Sequence, residues 1–302
     1  MTARAGKRGG ARWLLAIPYL WVALFLVAPL ALVARLSLSQ SVLARPPYAP
    51  TFGWTESWRD WIDKASNLGV AAYRGLIDDP LYLDSYLGAV RLAGLATLVA
   101  IMLAMPFALA IARASPRWRP ILLGLAIAPF WTSFLIRIYA LALLIKDGGP
   151  LERLLSGLRL IEPPLGLYAT DGAVVLGMAY SYLPFVILPI VNALEAQDPA
   201  LIEAARDLGA RPLTAFVTVT LPLAMPGVAA GALLMFIPAT GEIVIPDLLG
   251  GSNTLMIGRT LWNDFFANRD WPAAAAAACA LAALLFGPIW LMERRGAREP
   301  RA

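Results

Sequence analysis

Six apolar runs dominate the chain, at residues 13–34, 88–111, 121–145, 172–192, 223–245 and 272–292. Each is long enough to cross a hydrocarbon core about 30 Å thick as a helix. In lipid every backbone N–H and C=O must be satisfied internally, and helix is the only open-ended solution. Composition agrees: the 302 residues are 59% hydrophobic and 15% charged, with a mean hydropathy of +0.67. A soluble domain carries about a quarter charged residues. The expected fold is therefore all-α, a polytopic membrane protein with six transmembrane helices.

The charges that remain are placed like topology signals. Arg4, Lys7, Arg8 and Arg12 precede the first run; Arg113, Arg117 and Arg119 follow the second; Arg206 and Arg211 follow the fourth. Arg294, Arg295, Arg298 and Arg301 follow the last. Positively charged loops stay inside, so both termini and the 195–220 loop are expected in the cytoplasm. The net charge of +5 thus marks span ends and does not form a phosphate-tracking face, and no nucleic-acid partner is expected. The first run exceeds the 7–15 residues of a signal-peptide core and is followed by further spans, so it is read as a retained span. One cysteine, Cys279, and no histidine exclude an internal disulfide and a thiolate–imidazole zinc site.

This divides the chain into a cytoplasmic N-tail (1–12), a first transmembrane helix (13–34), a periplasmic segment (35–87), a five-helix core (88–292) and a cytoplasmic C-tail (293–302). In the periplasmic segment Trp54, Trp58 and Trp61 recur at i, i+4 and i+7, one face of a short helix. That face suits either the membrane interface, where indoles sit well, or a docking surface for a soluble solute-binding protein. The alanine run at 273–278 and Gly227-x-x-x-Gly231 are read as sites of close helix packing.

The 195–220 loop is the most specific stretch. Asp198-Pro199 is a helix start: Asp caps free N–H groups, and Pro is favoured at the first helical position. A short helix follows, Gly209 suits the left-handed residue that ends it, and Arg211-Pro212 opens a second helix leading into the membrane. The product is a stiff helix–turn–helix with small Ala204 and Ala205 open to close approach and Glu203 supplying one orienting charge. Residues 203–209 read Glu-Ala-Ala-Arg-Asp-Leu-Gly, followed after nine residues by Val-Thr-Leu-Pro at 219–222. With Glu203, Ala204, Ala205, Gly209, Leu221 and Pro222 in place, and Val219 where Ile is usual, this resembles the EAA loop of bacterial ABC-importer permeases.

Three further stretches narrow the resemblance to the spermidine/putrescine branch: Pro129-Phe-Trp-Thr-Ser-Phe-Leu-Ile-Arg137-Ile-Tyr139, Tyr180-Ser-Tyr-Leu-Pro184-Phe with Leu188-Pro189, and the run from Phe236 to Gly258 containing Glu242 and Pro246-Asp247. The resemblance covers residues 85–275 and implies a type I ABC-importer permease fold. It also implies partners: a cytoplasmic ABC ATPase dimer gripped by the EAA loop, a second permease subunit and a periplasmic solute-binding protein, all around a lipid bilayer. Relatives of this layout are also associated with ferric iron, thiamine and phosphonates, so the solute stays open.

Charge and aromaticity nominate a substrate pathway. Glu242 and Asp247 lie where Pro238 and Pro246 break the fifth run, and broken helices are where transporters place polar backbone. Their carboxylates would attract a polyamine, unless they simply lie at the interface or pair with Arg259. Trp131, Tyr139, Tyr180 and Tyr182 offer faces for cation–π contact, or pack in the core. Arg137, well inside the third run, is read as a brace. No Gly-x-x-x-x-Gly-Lys-Ser/Thr loop is present, so no cofactor is expected on this chain and ATP is expected on its partner. A secondary transporter, the competing class, would show helix breaks in both halves; here one such region is seen.

Overall fold

The computed structural model describes residues 9–296 apart from Trp54, so the N- and C-terminal arginines at 4, 8, 298 and 301, Lys7, and the first member of the tryptophan face lie outside the described residues. The chain divides into two units, one reaching Leu83 and resuming over Leu261–Leu284, the other Asp84–Thr260 with the residues from 285 onward.

The first unit begins with helix α1 (Ala16–Ser37), apolar all round and with its side chains exposed as far as Leu32. A helix apolar on every face needs lipid or protein around it. A two-stranded hairpin, β1 (Gln40–Ser41) and β2 (Tyr48–Ala49), follows. Helix α2 (Trp58–Ser66) starts at a capping box in which Ser57 and Asp60 satisfy each other's backbone N–H. Trp58 and Trp61 are exposed on it. The Lys64 ammonium beside Glu56 holds that carboxyl below its ordinary value. Helix α3 (Ala71–Asp78) returns to α1, where Tyr73 donates to Ser37 Oγ at 2.8 Å. Nearby, Arg35 lies over Phe52 at 4.6 Å.

The second unit carries α4 (Pro80–Ala112), α5 (Arg119–Ile127), α6 (Phe134–Ile145), α7 (Pro150–Gly157), α8 (Asp171–Glu195), α9 (Pro199–Asp207) and α10 (Pro212–Thr240). Short helices α11 (Val244–Leu249) and α12 (Ile257–Trp262) follow, and α13 (Trp271–Gly296), which belongs to the first unit as far as Leu284, closes the chain. By length and apolarity four described helices can cross a membrane: α1, α4, α8 and α10. The run at 121–145, expected as one helix, is instead bent by 90° between Trp131 and Phe134. Pro129 removes a backbone donor there, Thr132 and Ser133 are extended, and Thr132 Oγ1 donates to the Pro129 carbonyl at 2.7 Å. The fifth run also ends early: helix stops at Gly241, and residues 244–249 form the separate α11.

Glycine sets how closely these helices approach. A Cβ at Gly227 would lie 2.4 Å from Ala193 Cβ and 2.5 Å from the Pro189 carbonyl, and one at Gly231 3.0 Å from the Val186 carbonyl. The small-xxx-small stretch of α10 therefore lies directly on α8, as its spacing suggested. In the first unit, Ala274 to Ala277 are likewise buried.

Candidate functional site

The loop between α8 and α10 has the geometry its residues dictate. Asp198 accepts from the Ala200 N–H at 2.9 Å and Pro199 takes the first helical position. At the far end Gly209 N–H bonds the Arg206 carbonyl at 2.8 Å and Ala210 N–H bonds the Ala205 carbonyl at 3.0 Å. This double closure requires a left-handed residue at 209, and Gly209 has φ +86. Two polar contacts tie the loop's base: Gln197 Nε2 donates to the Thr220 carbonyl at 3.0 Å, and Arg119 pairs with Glu195 at 3.0 Å.

Glu203 and Ala204 are exposed, Ala205 half-buried and Gly209 exposed; Leu221 is half-buried and Pro222 exposed. Beside them Leu201, Leu213 and Leu208, the last 90% exposed, present apolar side chains. They put apolar side chains at the surface of a short polar loop. Sequence reading found the loop but missed the exposed leucines, which are not among its matching positions, and the Gln197–Thr220 tie, which joins positions too far apart to suggest themselves.

The pathway residues fall into separate places. Glu242 is 9% exposed. One carboxylate oxygen accepts from the Ile243 and Val244 N–H groups at 3.2 and 3.0 Å, capping α11, and the other accepts from the Tyr182 hydroxyl. Asp247 is exposed and pairs with Arg259 at 3.4 Å. Trp131 (82% exposed), Tyr139 and Tyr180 stand on outward faces, and no ring contact among the described residues joins them. Of the four aromatics only Tyr182 joins a ring cluster, with Phe185 and then Phe130, at successive centroid distances of 6.1 and 5.1 Å. Arg137, 7% exposed, lies over Phe130 and Phe134 at 5.3 and 5.8 Å. Its Nε and Nη1 have no hydrogen-bond partner among the described residues.

A network that no motif announced fixes the run after α11. Asp171, at the start of α8, binds Arg91 of α4 and accepts from Thr254 Oγ1 at 2.9 Å. Gly88 and Gly258 permit the approach: a Cβ would lie 2.2 Å from the Leu255 carbonyl and 2.5 Å from that of Gly241, respectively. Loop 250–256 is thereby pinned between α4, α8 and α11.

The chain superimposes on a chain of the bacterial alginate ABC transporter in complex with its alginate pentasaccharide-bound periplasmic protein with TM-score 0.70 at 16% identity, covering 96% of this chain and 95% of that one. It matches a chain of the MetNI methionine ABC transporter in inward-facing form at TM-score 0.53 and 17% identity, over 71% and 94%. In sequence it is 40% identical to the spermidine/putrescine transport system permease protein PotB of Escherichia coli over 220 residues, 73% of this chain and 80% of that protein. It is 39% identical to PotB of Haemophilus influenzae over 207 residues, 68% and 72% of the two chains. The inner membrane ABC transporter permease protein YdcU of Escherichia coli is 34% identical over 222 residues, 69% of this chain and 70% of that one. Residues 11–294 match the family model for binding-protein-dependent transport system inner membrane components, and the chain belongs to that family of multi-pass inner-membrane permeases.

Proposed function

We propose that this chain is one permease subunit of an ATP-driven importer of polyamines such as spermidine and putrescine. The observation that carries the solute class is its 40% identity to the Escherichia coli spermidine/putrescine permease across 73% of this chain. In this reading six helices span the membrane: α5 and α6 act as one broken span, α13 is the last, and both termini are cytoplasmic. The α9 loop then faces the cytoplasm, where Glu203, Ala204, Ala205 and Gly209 seat in a cleft of a separate ABC ATPase and Leu221-Pro222 carries the movement into α10. ATP binds and is hydrolysed on that partner. A second permease subunit completes the pathway, and a periplasmic binding protein delivers the solute.

The geometry supports the loop as a transmitter. It is capped at both ends, tied at its base and exposed at its tip, so force on α9 reaches α10 with little slack. For the pathway we assign Glu242 and Asp247 as the negative charges facing a cationic solute, with Trp131, Tyr139, Tyr180 and Tyr182 as aromatic walls. Glu242→Gln tests the charge separately from the fold, because Gln keeps an oxygen acceptor for the α11 N–H groups. Uptake of spermidine is expected to fall severalfold while the ATPase co-purifies as before. Unchanged uptake would remove Glu242 from the pathway.

The solute assignment is tested by uptake of radiolabelled putrescine and spermidine in cells lacking this chain, with and without a plasmid copy. Loss and rescue are expected for both. No change in either would move the solute to another class of small ion.

A further inference from the structure

Two arginines of the first unit share a groove and have no counter-charge. Arg45 lies in the tip of the β1–β2 hairpin and Arg269 just before α13. Both are exposed, and neither has a carboxylate partner among the described residues. They line a groove of about 390 Å³ together with Pro47, Phe265, Phe266 and Trp271. In the six-span reading these loops face outward, so the inside bias of arginine does not account for them. Arg269 is also set apart by its backbone. Its φ is +54, a left-handed conformation that a Cβ disfavours, and the Asp270 N–H bonds the Asp264 carbonyl at 2.8 Å across it. Glycine or asparagine is the usual residue at such a helix end; here the chain keeps a guanidinium.

The rings of the groove are packed in advance. Phe265 stacks on Trp271 at 5.0 Å and meets Phe266 edge-on at 4.9 Å, and Phe266 lies 4.2 Å from Trp262. Trp271 Nε1 is fixed on the Phe265 carbonyl at 3.2 Å, yet Trp262, Phe265 and Phe266 stay exposed. Rigid aromatic surface flanked by arginine is the composition of a protein–protein contact centre, and a guanidinium there pairs a carboxylate with two parallel bonds. The adjoining charge has the opposite sign. Asp270, next to Trp271, lines a second cavity of about 800 Å³ with Asp78, Asp79 and Tyr82. Anionic headgroups would be drawn to the groove but repelled by this cavity. A binding protein that places a carboxylate in the groove and carries a cationic solute meets both signs at once.

We propose that the groove between Arg45 and Arg269 receives an acidic side chain of the periplasmic solute-binding protein and sets the loaded protein beside the acidic cavity. The inference rests on the importer reading given above, with these loops outside. A photoreactive benzophenone amino acid is placed at Leu43, the fully exposed residue of the hairpin tip, in the whole transporter. Intact cells are irradiated and the adduct is identified by mass spectrometry. In parallel, the purified transporter with its ATPase is reconstituted in vesicles, and uptake is titrated with the captured protein.

The expected adduct is a periplasmic solute-binding protein, and it should be lost when Arg45→Glu and Arg269→Glu are combined. Arg74→Glu, which reverses an exposed charge outside the groove, should keep it. Arg45→Glu and Arg269→Glu should each raise the half-saturating concentration of binding protein about tenfold, as expected for loss of one charge-assisted pair. Arg45→Gln and Arg269→Gln serve instead if the reversed proteins are missing from the membrane. Changing the acidic residue nearest the crosslink to Arg should restore binding to Arg45→Glu. An adduct with phospholipid alone, or with the second permease subunit alone, would overturn the proposal, as would no adduct. Equal loss in Arg74→Glu would overturn it in favour of diffuse attraction, and half-saturation unchanged in the groove variants would overturn it outright. The expected adduct in cells that take up no spermidine would uphold the groove and refute the solute assignment.

Discussion

Gly209→Val and Glu203→Lys are each expected to reduce solute uptake to background while full-length protein remains in the membrane. The two changes act at different steps. Gly209 sits at φ +86 with both closing bonds of the α9 C-terminus built on it. A β-branched residue there costs roughly 1–3 kcal/mol of local strain, more than the last turn of a nine-residue helix can absorb. The turn opens and the tip no longer holds one shape, although the spans on either side are untouched. Glu203→Lys leaves the backbone alone and reverses the charge proposed to orient the docked loop; a like charge where an opposite one is needed is a strong device against binding. A graded series sharpens the test: Gly209→Ala, with about 1–2 kcal/mol of left-handed strain, should retain partial uptake where Gly209→Val has none. Membrane content by immunoblot, ATPase co-purification and uptake, measured together, separate the two failures. Full uptake by both Gly209→Val and Glu203→Lys would remove the loop from energy coupling.

Gly227→Val is expected to lose the protein itself. A Cβ at 227 meets Ala193 Cβ at 2.4 Å and the Pro189 carbonyl at 2.5 Å, contacts that rigid backbone cannot yield. Val adds two methyl groups beyond that atom. Overpacking of this kind costs about 1–3 kcal/mol even where side chains can move, and here α8 and α10 would have to separate along their shared face. No apolar surface drives them together again, because lipid solvates separated helices as well as a neighbouring helix does. The expected result is little folded protein after detergent extraction, with a lowered melting temperature in what remains. Gly94→Ala serves as the control, since nothing lies within 4 Å of a Cβ built there. Normal yield and melting for Gly227→Val would mean the α8–α10 contact is not as described.

What could be read from residues alone follows from how local each signal is. Span existence is a property of a window of about twenty residues, so α4, α8 and α10 were legible, as was the α9 loop, whose cap, helix and left-handed glycine lie within a dozen consecutive positions. The α5–α6 bend was not, because residues 121–145 are apolar on average and hydropathy does not register that Pro129 and Thr132 redirect the backbone. The π turn at Phe216–Thr220 was hidden for the same reason, since its residues suit either helix. Glu242 illustrates a third limit. Its sequence context suggested a charge at a helix break, but its partners are the next two backbone N–H groups and a tyrosine 60 positions away. Long-range ties such as Asp171 with Arg91 and Thr254 depend on which helices become neighbours, and spacing along the chain carries no record of that.

In the proposed function, ATP bound to a separate subunit drives solute through this chain. The direct measurement is spermidine uptake into vesicles containing the purified permease complex and its binding protein, with the ATPase subunit present or withheld. Uptake that requires both the ATPase and ATP, and that disappears with Glu203→Lys, is the predicted result. Uptake by the permease alone under an ion gradient, indifferent to ATP and to Glu203, would contradict the account and identify a secondary transporter.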